Sequence, residues 1–193
     1  MNVAITGSRK GIRHSGSYIL NWLHHYFAKL SKYQGYNVTQ LSRETGYDFN
    51  ENFDDIVNEI LKNDVFVNAS CIDDYQIKLL NAVYGKVKHI ICIGSIAGDF
   101  NTDEDYARVK RNLKQRCKML PIETLNTHTN LFHMTISEVE KDGKGMSQEE
   151  FNKVLDFWFE NPTIANIDFK HYVESYDDWK KEKIKRIVDE QRS

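Results

Sequence analysis

Short apolar runs alternate along this chain with stretches whose apolar residues recur every three or four positions, the pattern of strands and amphipathic helices in turn. Asn2–Thr6, Asn37–Ser42, Asp64–Ser70, His89–Gly94, Leu131–Ile136 and Ile164–Phe169 read as strands. His89–Gly94 is almost wholly apolar, as expected of a central strand buried on both faces. Between the strands, Ile19, Leu20, Leu23, Phe27 and Leu30 mark a helix that starts near Ser15 and stops at Gly35. Phe53, Ile56, Val57, Ile60 and Leu61 mark a second, and Ile77, Leu80 and Val83 a third, within Asp73–Tyr84. Thr102 with Asp105 suggests a capping box for a fourth helix, through Tyr106, Val109, Leu113, Cys117 and Leu120 up to Pro121. Ser147 with Glu150 suggests another before Phe151, Val154, Leu155, Trp158 and Phe159. From Asp177 onward, alternating charges around Trp179, Ile184, Ile187 and Val188 fit a surface helix.

Strand–helix alternation of this kind predicts an α/β fold: a Rossmann-like, mostly parallel sheet of about six strands with helices on both faces. The 193 residues suit one domain spanning 1–193. With 26 basic and 28 acidic side chains the net charge is −2, which gives no global field to attract nucleic acid or an anionic membrane and favours a small-molecule partner. Cys71, Cys92 and Cys117 are few, odd in number and scattered, against a disulfide framework or a zinc motif, so a reducing, cytoplasmic setting is expected. No apolar run reaches membrane-spanning length and no charged-then-apolar leader opens the chain. His24 and His25 are adjacent on a helix and cannot face one point, so they read as packing residues and no metal is expected. Arg108, Lys110, Arg111, Lys114, Arg116 and Lys118 crowd the fourth helix and read as a charged outer face.

Candidate chemistry begins where the first strand ends. Thr6-Gly7-x-x-x-Gly11 puts two glycines between a strand and a helix, and unpaired N–H groups with the helix dipole make such a turn an anion site that fits a dinucleotide pyrophosphate. Ordinary tight turns also carry glycines at this spacing. NAD sites usually place an acid after the second strand to hold the ribose hydroxyl, whereas here stand Ser42 and Arg43. A guanidinium at that point can grip a 2′-phosphate through two hydrogen bonds, with Arg9 or Lys10 in reach, which favours NADP(H) over NAD(H). The alternative for Arg43 is a solvated loop residue. Asp48 suits either an adenine amino group or a local turn bond.

Three pieces fall in order on the expected elements: the glycine turn, Ser95 after the fourth strand, and Tyr106-x-x-x-Lys110 on the following helix. Together they resemble the short-chain dehydrogenase/reductase family from Asn2 to about Phe169, with Asn68-Ala69 where the family has Asn-Asn-Ala-Gly. The resemblance implies catalytic roles for Ser95, Tyr106 and Lys110. It implies cofactor contacts from Gly7, Ser8, Arg9, Gly11, Ile12, Arg43, Asp48, Asn68, Ala69, Tyr106 and Lys110. A cation ~4–6 Å from a phenol lowers its pKa by roughly one to three units, so Lys110 would prepare Tyr106 to donate a proton to a carbonyl oxygen that Ser95 orients. The contrary reading is a core tyrosine and a surface lysine.

The chain departs from the family pattern in several places. Arg13 stands where the third glycine belongs, Ser137-Glu138 replaces Pro-Gly, and between Asn68 and Ser95 there is no clear counterpart of the asparagine that completes the family's proton relay; Asn81 is not a safe substitute. Between Ser42 and Phe53 there is room for a turn but not for the helix and strand common relatives insert. The expected activity is hydride transfer between NADP(H) and a carbonyl or secondary alcohol. The alternative is a catalytically inactive nucleotide-binding or regulatory module on the same fold.

Overall fold

The computed structural model describes residues 1–7, 15–70, 73–100, 102–124, 128–136 and 146–169. Six strands, β1 (Asn2–Thr6), β2 (Asn37–Leu41), β3 (Val65–Asn68), β4 (His89–Ser95), β5 (Asn130–Ile136) and β6 (Asn166–Phe169), form one sheet in the order β2-β1-β3-β4-β5-β6. Every pairing is parallel, so the mostly parallel sheet expected is parallel throughout. β2 and β3 flank β1, which places the topological switch point at the β1/β3 boundary. Only a short turn, Arg43–Thr45, and one helix separate β2 from β3, and β2 is an edge of the sheet, as the short Ser42–Phe53 interval requires.

Both faces of the sheet are apolar because both are covered. Val3, Ile5, Val65, Val67, Ile91, Ile93, Phe132 and Met134 point to one side and pack under α1 (Ser15–Gln34) and α5 (Gln148–Glu160). Ala4, Leu41, Phe66, Ile90, Cys92 and Leu131 point to the other, under α2 (Phe53–Ile60), α3 (Tyr75–Val83) and α4 (Asp105–Glu123). The β5–α5–β6 crossover moves along the sheet in the same direction as β4–α4–β5 but carries its helix on the opposite face, so the two have opposite hands. That crossing brings α5 beside α1, where Tyr26 donates to Asp156 at 2.7 Å.

Local signals held in part. The Ser147–Glu150 capping box is present, with Ser147 Oγ accepting from Glu150 N–H at 3.2 Å. The proposed box at Thr102 and Asp105 is absent: Glu104 caps α4 without a side-chain bond, and the helix runs through Pro121 to Glu123. α3 is rotated from the expected face, burying Gln76, Leu79, Leu80 and Val83 while Ile77 is only partly covered. Residues Asp177 onward lie outside the described residues.

Candidate active site

The C-terminal ends of β1 and β3 lie flush, with Thr6 paired to Leu41 on one side and Asn68 on the other. Thr6 Oγ1 donates to Val67 O at 3.3 Å and accepts from Ala69 N–H at 3.2 Å, which ties the two strand ends together. Gly7 follows with φ +124°, and a Cβ there would stand 2.9 Å from both Leu20 methyls of α1. The backbone angle is what favours glycine at this point, since the Leu20 methyls are the end of a flexible side chain that can shift. Gln40 Nε2 donates to Gly7 O at 3.1 Å, and Gly7 N–H donates to Leu41 O at 3.2 Å. Ser8, Arg9, Lys10, Gly11, Ile12 and Arg13 lie outside the described residues.

Beyond β2, Arg43 opens the short turn and its Nε sits 2.6 Å from Asp48 Oδ2. Asp48 Oδ1 accepts from Asn50 N–H at 2.9 Å. The local turn bond, one of the two readings for Asp48, is thus present. Arg43 and Asp48, both expected at a cofactor, thus come together as a pair at the end of β2.

The other expected residues gather around the end of β4. Ser95 is its last residue, and Ser95 Oγ accepts from Ala97 N–H at 3.2 Å, capping a 3₁₀ turn over Ile96–Asp99. That turn packs against α4 through Ile96, Ala97 and Ala107. Its Gly98 has no room for a side chain: a Cβ would lie 2.8 Å from backbone atoms of Lys110 and Arg111. Arg111 and Lys114 fasten the same turn, Arg111 donating to Phe100 O at 2.6 Å and Thr102 O at 3.0 Å, and Lys114 pairing with Asp99 at 2.8 Å. The basic residues of α4 are therefore not uniformly a solvated face, since part of the row holds the loop that carries Ser95.

Tyr106 and Lys110 reverse the contrary reading given above, because the tyrosine is 36% exposed and the lysine 2%. Lys110 Nζ lies 5.7 Å from the Tyr106 ring centroid, so one helix face does bring the amine to the phenol. The ammonium donates to Gln76 Oε1 at 2.6 Å and to Ile93 O at 3.4 Å. Gln76 in turn donates through Nε2 to Asn68 O at 2.8 Å and Ile93 O at 3.2 Å, and Asn68 Nδ2 donates back to Gln76 O at 2.7 Å. A buried polar network thus connects β3, α3, β4 and α4. Sequence reasoning missed Gln76; the signal was its spacing, three, four and seven residues before Leu79, Leu80 and Val83.

These residues fit a dinucleotide at the switch point. Asn68 Oδ1 and Ser70 Oγ, both buried at the end of β3, have no hydrogen-bond partner among the described residues. Such atoms cost about 1–3 kcal/mol each when left unpaired, a cost that a polar ligand at the strand end removes. Gly7 opens the backbone nearby, and Arg43 is exposed at the next strand end.

This all-parallel Rossmann-like fold is similar to that of solved short-chain dehydrogenases/reductases. A glucose/ribitol-type member from Brucella melitensis is 12% identical and superposes with a TM-score of 0.61 over 89% of this chain and 96% of its own. A short-chain dehydrogenase from Sphingobium yanoikuyae, solved in complex with NADPH, is 14% identical with a TM-score of 0.57, covering 97% of this chain and 95% of its own. The serine dehydrogenase of Escherichia coli is 15% identical with a TM-score of 0.56, covering 89% and 100%. No family sequence profile matches the chain, and no curated protein matches it in sequence.

Proposed function

We propose that the chain is a single-domain NADP(H)-dependent oxidoreductase of the short-chain dehydrogenase/reductase type, acting on a small carbonyl compound or secondary alcohol. The observation that carries this reading is the buried Lys110 ammonium 5.7 Å from the ring of a partly exposed Tyr106, at the end of the strand that carries Ser95. A tyrosine ordinarily ionises near pH 10, and a neighbouring ammonium stabilises its phenolate, which makes the phenol a better proton donor near neutrality. Tyr106 Oη gives its proton to the substrate oxygen in reduction and receives it back in oxidation. Ser95 Oγ, which accepts from Ala97 N–H, keeps its own proton to donate to that oxygen and orient it. When bound, the nicotinamide supplies or accepts the hydride.

Gly7, Ser8, Arg9, Gly11 and Ile12 are assigned to the pyrophosphate, Asn68 and Ala69 to the strand end beside it, and Lys110 to the nicotinamide ribose as well as to Tyr106. Arg43 is assigned to the 2′-phosphate, with Asp48 orienting its guanidinium. The fold neighbour solved with NADPH supports the nucleotide class.

Titration with NADPH and NADH, followed by tryptophan and reduced-nicotinamide fluorescence, tests the reading together with hydride transfer across a carbonyl panel. NADPH is expected to bind more tightly, and Tyr106→Phe to abolish turnover while binding is kept. Binding without any transfer turns the chain into a nucleotide-binding module; no binding of either dinucleotide overturns the proposal.

A further inference from the structure

Gln76 is 1% exposed and sits in the first turn of α3, yet each polar atom of its side chain is used. Nε2 is spent on two main-chain oxygens, Asn68 O and Ile93 O, which leaves the carboxamide only one way round and aims Oε1 at Lys110 Nζ, 2.6 Å away. Ile93 O, which also receives Lys110 at 3.4 Å, lies two residues before Ser95. A buried ammonium is held only where hydrogen-bond acceptors replace its water. A carboxylate would do so most strongly, but its negative charge would offset the positive potential at the neighbouring phenol. A carboxamide gives the acceptor and no counter-charge.

We infer that Gln76 is a positioning residue for Lys110: its side-chain oxygen fixes the ammonium beside Tyr106 at the end of β4 and adds no counter-charge of its own. The inference rests on the proposed oxidoreductase reading for its consequence in turnover, though not for the contact itself. Ion pairs on the surrounding elements join Lys78 of α3 to Asp74 at its N-cap at 3.0 Å, Arg108 to Asp105 on α4 at 2.8 Å, and Lys114 of α4 to Asp99 of the 3₁₀ turn at 2.8 Å. From β3 and β4 the groups facing the network are neutral, namely Asn68, the Cys92 thiol 3.9 Å from Asn68 Nδ2, and Ile93 O.

Two substitutions of similar size separate holding from charge. Gln76→Met removes the acceptor, and Gln76→Glu keeps an acceptor but adds the counter-charge. Holding is read without cofactor or substrate by nitrogen NMR of lysine ammonium groups in the full chain, with Lys110→Met assigning the signal. A slowly exchanging Lys110 ammonium is expected in the native protein and in Gln76→Glu, and its loss in Gln76→Met. Charge is read by the split between binding and turnover. Gln76→Glu is expected to keep NADPH affinity close to native while kcat falls by about tenfold or more, the effect of one pKa unit or more at Tyr106.

A Lys110 signal unchanged in Gln76→Met overturns the holding role, and native kcat in Gln76→Glu overturns the charge role. If Gln76→Met does not fold, Gln76→Glu alone decides both, because a Lys110 signal lost there also contradicts the inference. If the native protein transfers no hydride, the oxidoreductase reading fails by itself. The charge role is then read from the ultraviolet ionisation of Tyr106, taken as the difference from Tyr106→Phe, which must move to higher pH in Gln76→Glu; an unmoved midpoint rejects it.

Discussion

The two cations assigned to this site are held in opposite ways. Arg43, at the end of β2, keeps 64% of its side chain in solvent and meets a full counter-ion, Asp48, at 2.6 Å. Lys110, on α4, is buried to 2% exposure and meets neutral oxygens of Gln76 and Ile93. Water already solvates Arg43, so its ion pair adds about 0–1 kcal/mol to stability and costs little to rearrange around a ligand. Burial of an ammonium costs several kcal/mol before any contact is made, so Lys110 stays only where the acceptors are fixed. The end of edge strand β2 therefore offers an adaptable charge suited to reading a phosphate, and the end of interior strand β4 a fixed charge suited to acting on a phenol.

The widest gap between the two should appear on removal of the fixed charge. Lys110→Met is expected to lower kcat/KM by about 10²-fold or more, the usual scale for loss of a general acid's activation. Steady-state kinetics at saturating NADPH measures it, and a variant with native turnover would mean that the ammonium near Tyr106 has no part in the chemistry.

Next in size is the packing that keeps Lys110 in place. Gly98→Val drives a side chain into α4 backbone at Lys110 and Arg111, which cannot swing aside as a flexible side-chain end would. A loss of about 1–3 kcal/mol is expected, the scale of overpacking, and denaturant unfolding measures it. Native stability in this variant would show that the 3₁₀ turn and α4 separate freely, and with them Ser95 and Lys110.

The same contrast explains what the sequence disclosed. Strands such as His89–Gly94 and the helical period through Ile19, Leu23 and Phe27 were legible because burial on a sheet face or along one helix stripe is written into residue spacing. The order of the motif pieces was legible too: Ser95 ends β4, and α4 brings Lys110 Nζ to 5.7 Å from the Tyr106 ring centroid. What spacing does not encode is how far a helix is rotated against its sheet. In α3 the buried face keeps Leu80 and Val83 but is rotated away from Ile77 towards Gln76 and Leu79, which carried Gln76 inward. Lys110 sat in a run of basic residues, yet it falls on the buried stripe of Ala107, Leu113, Cys117 and Leu120, where α4 seats closely on Gly98. Pro121 was read as a stop, yet the helix continues to Glu123, with Thr124 N–H donating to Leu120 O just beyond it. Local chemistry marks where a helix ends only when tertiary packing does not extend it.

The exposed pair gives a smaller effect, and one confined to the ligand. Arg43→Ala is expected to weaken NADPH by about tenfold or more relative to NADH, the worth of a charge-assisted hydrogen bond to the extra phosphate. Unfolding stability should shift by less than about 1 kcal/mol because the side chain is already solvated. Equal weakening of both dinucleotides would show that Arg43 does not read the phosphate. A stability loss as large as that of Gly98→Val would erase the contrast between the two ends.

His89 gives the smallest and most graded effect, because here burial is offset in part by the charge of Asp64, with Asn130 Nδ2 3.4 Å from His89 Nδ1. Its ring lies 5.6 Å from Trp158 and 5.9 Å from Phe159, edge-on to both. Burial, reinforced by Lys88 and partly offset by Asp64, holds its pKa below the ordinary value of about 6.5. The unfolded chain then takes up a proton at this residue before the folded one does. The stability it contributes is complete above about pH 6.5 and is lost as pH falls from there towards the lower folded value. A single group can change unfolding free energy by at most about 1.4 kcal/mol per pH unit. His89→Phe keeps an aromatic ring against Trp158 and removes the titration, so denaturant unfolding at pH 7.5 and 5.5 should lose less stability in the variant than in the native chain. His24 and His133 are present in both proteins, so the difference between them isolates His89. An identical acid loss in the two would mean that the ring charges without cost, and that burial at this edge of β4 excludes water less well than it does around Lys110.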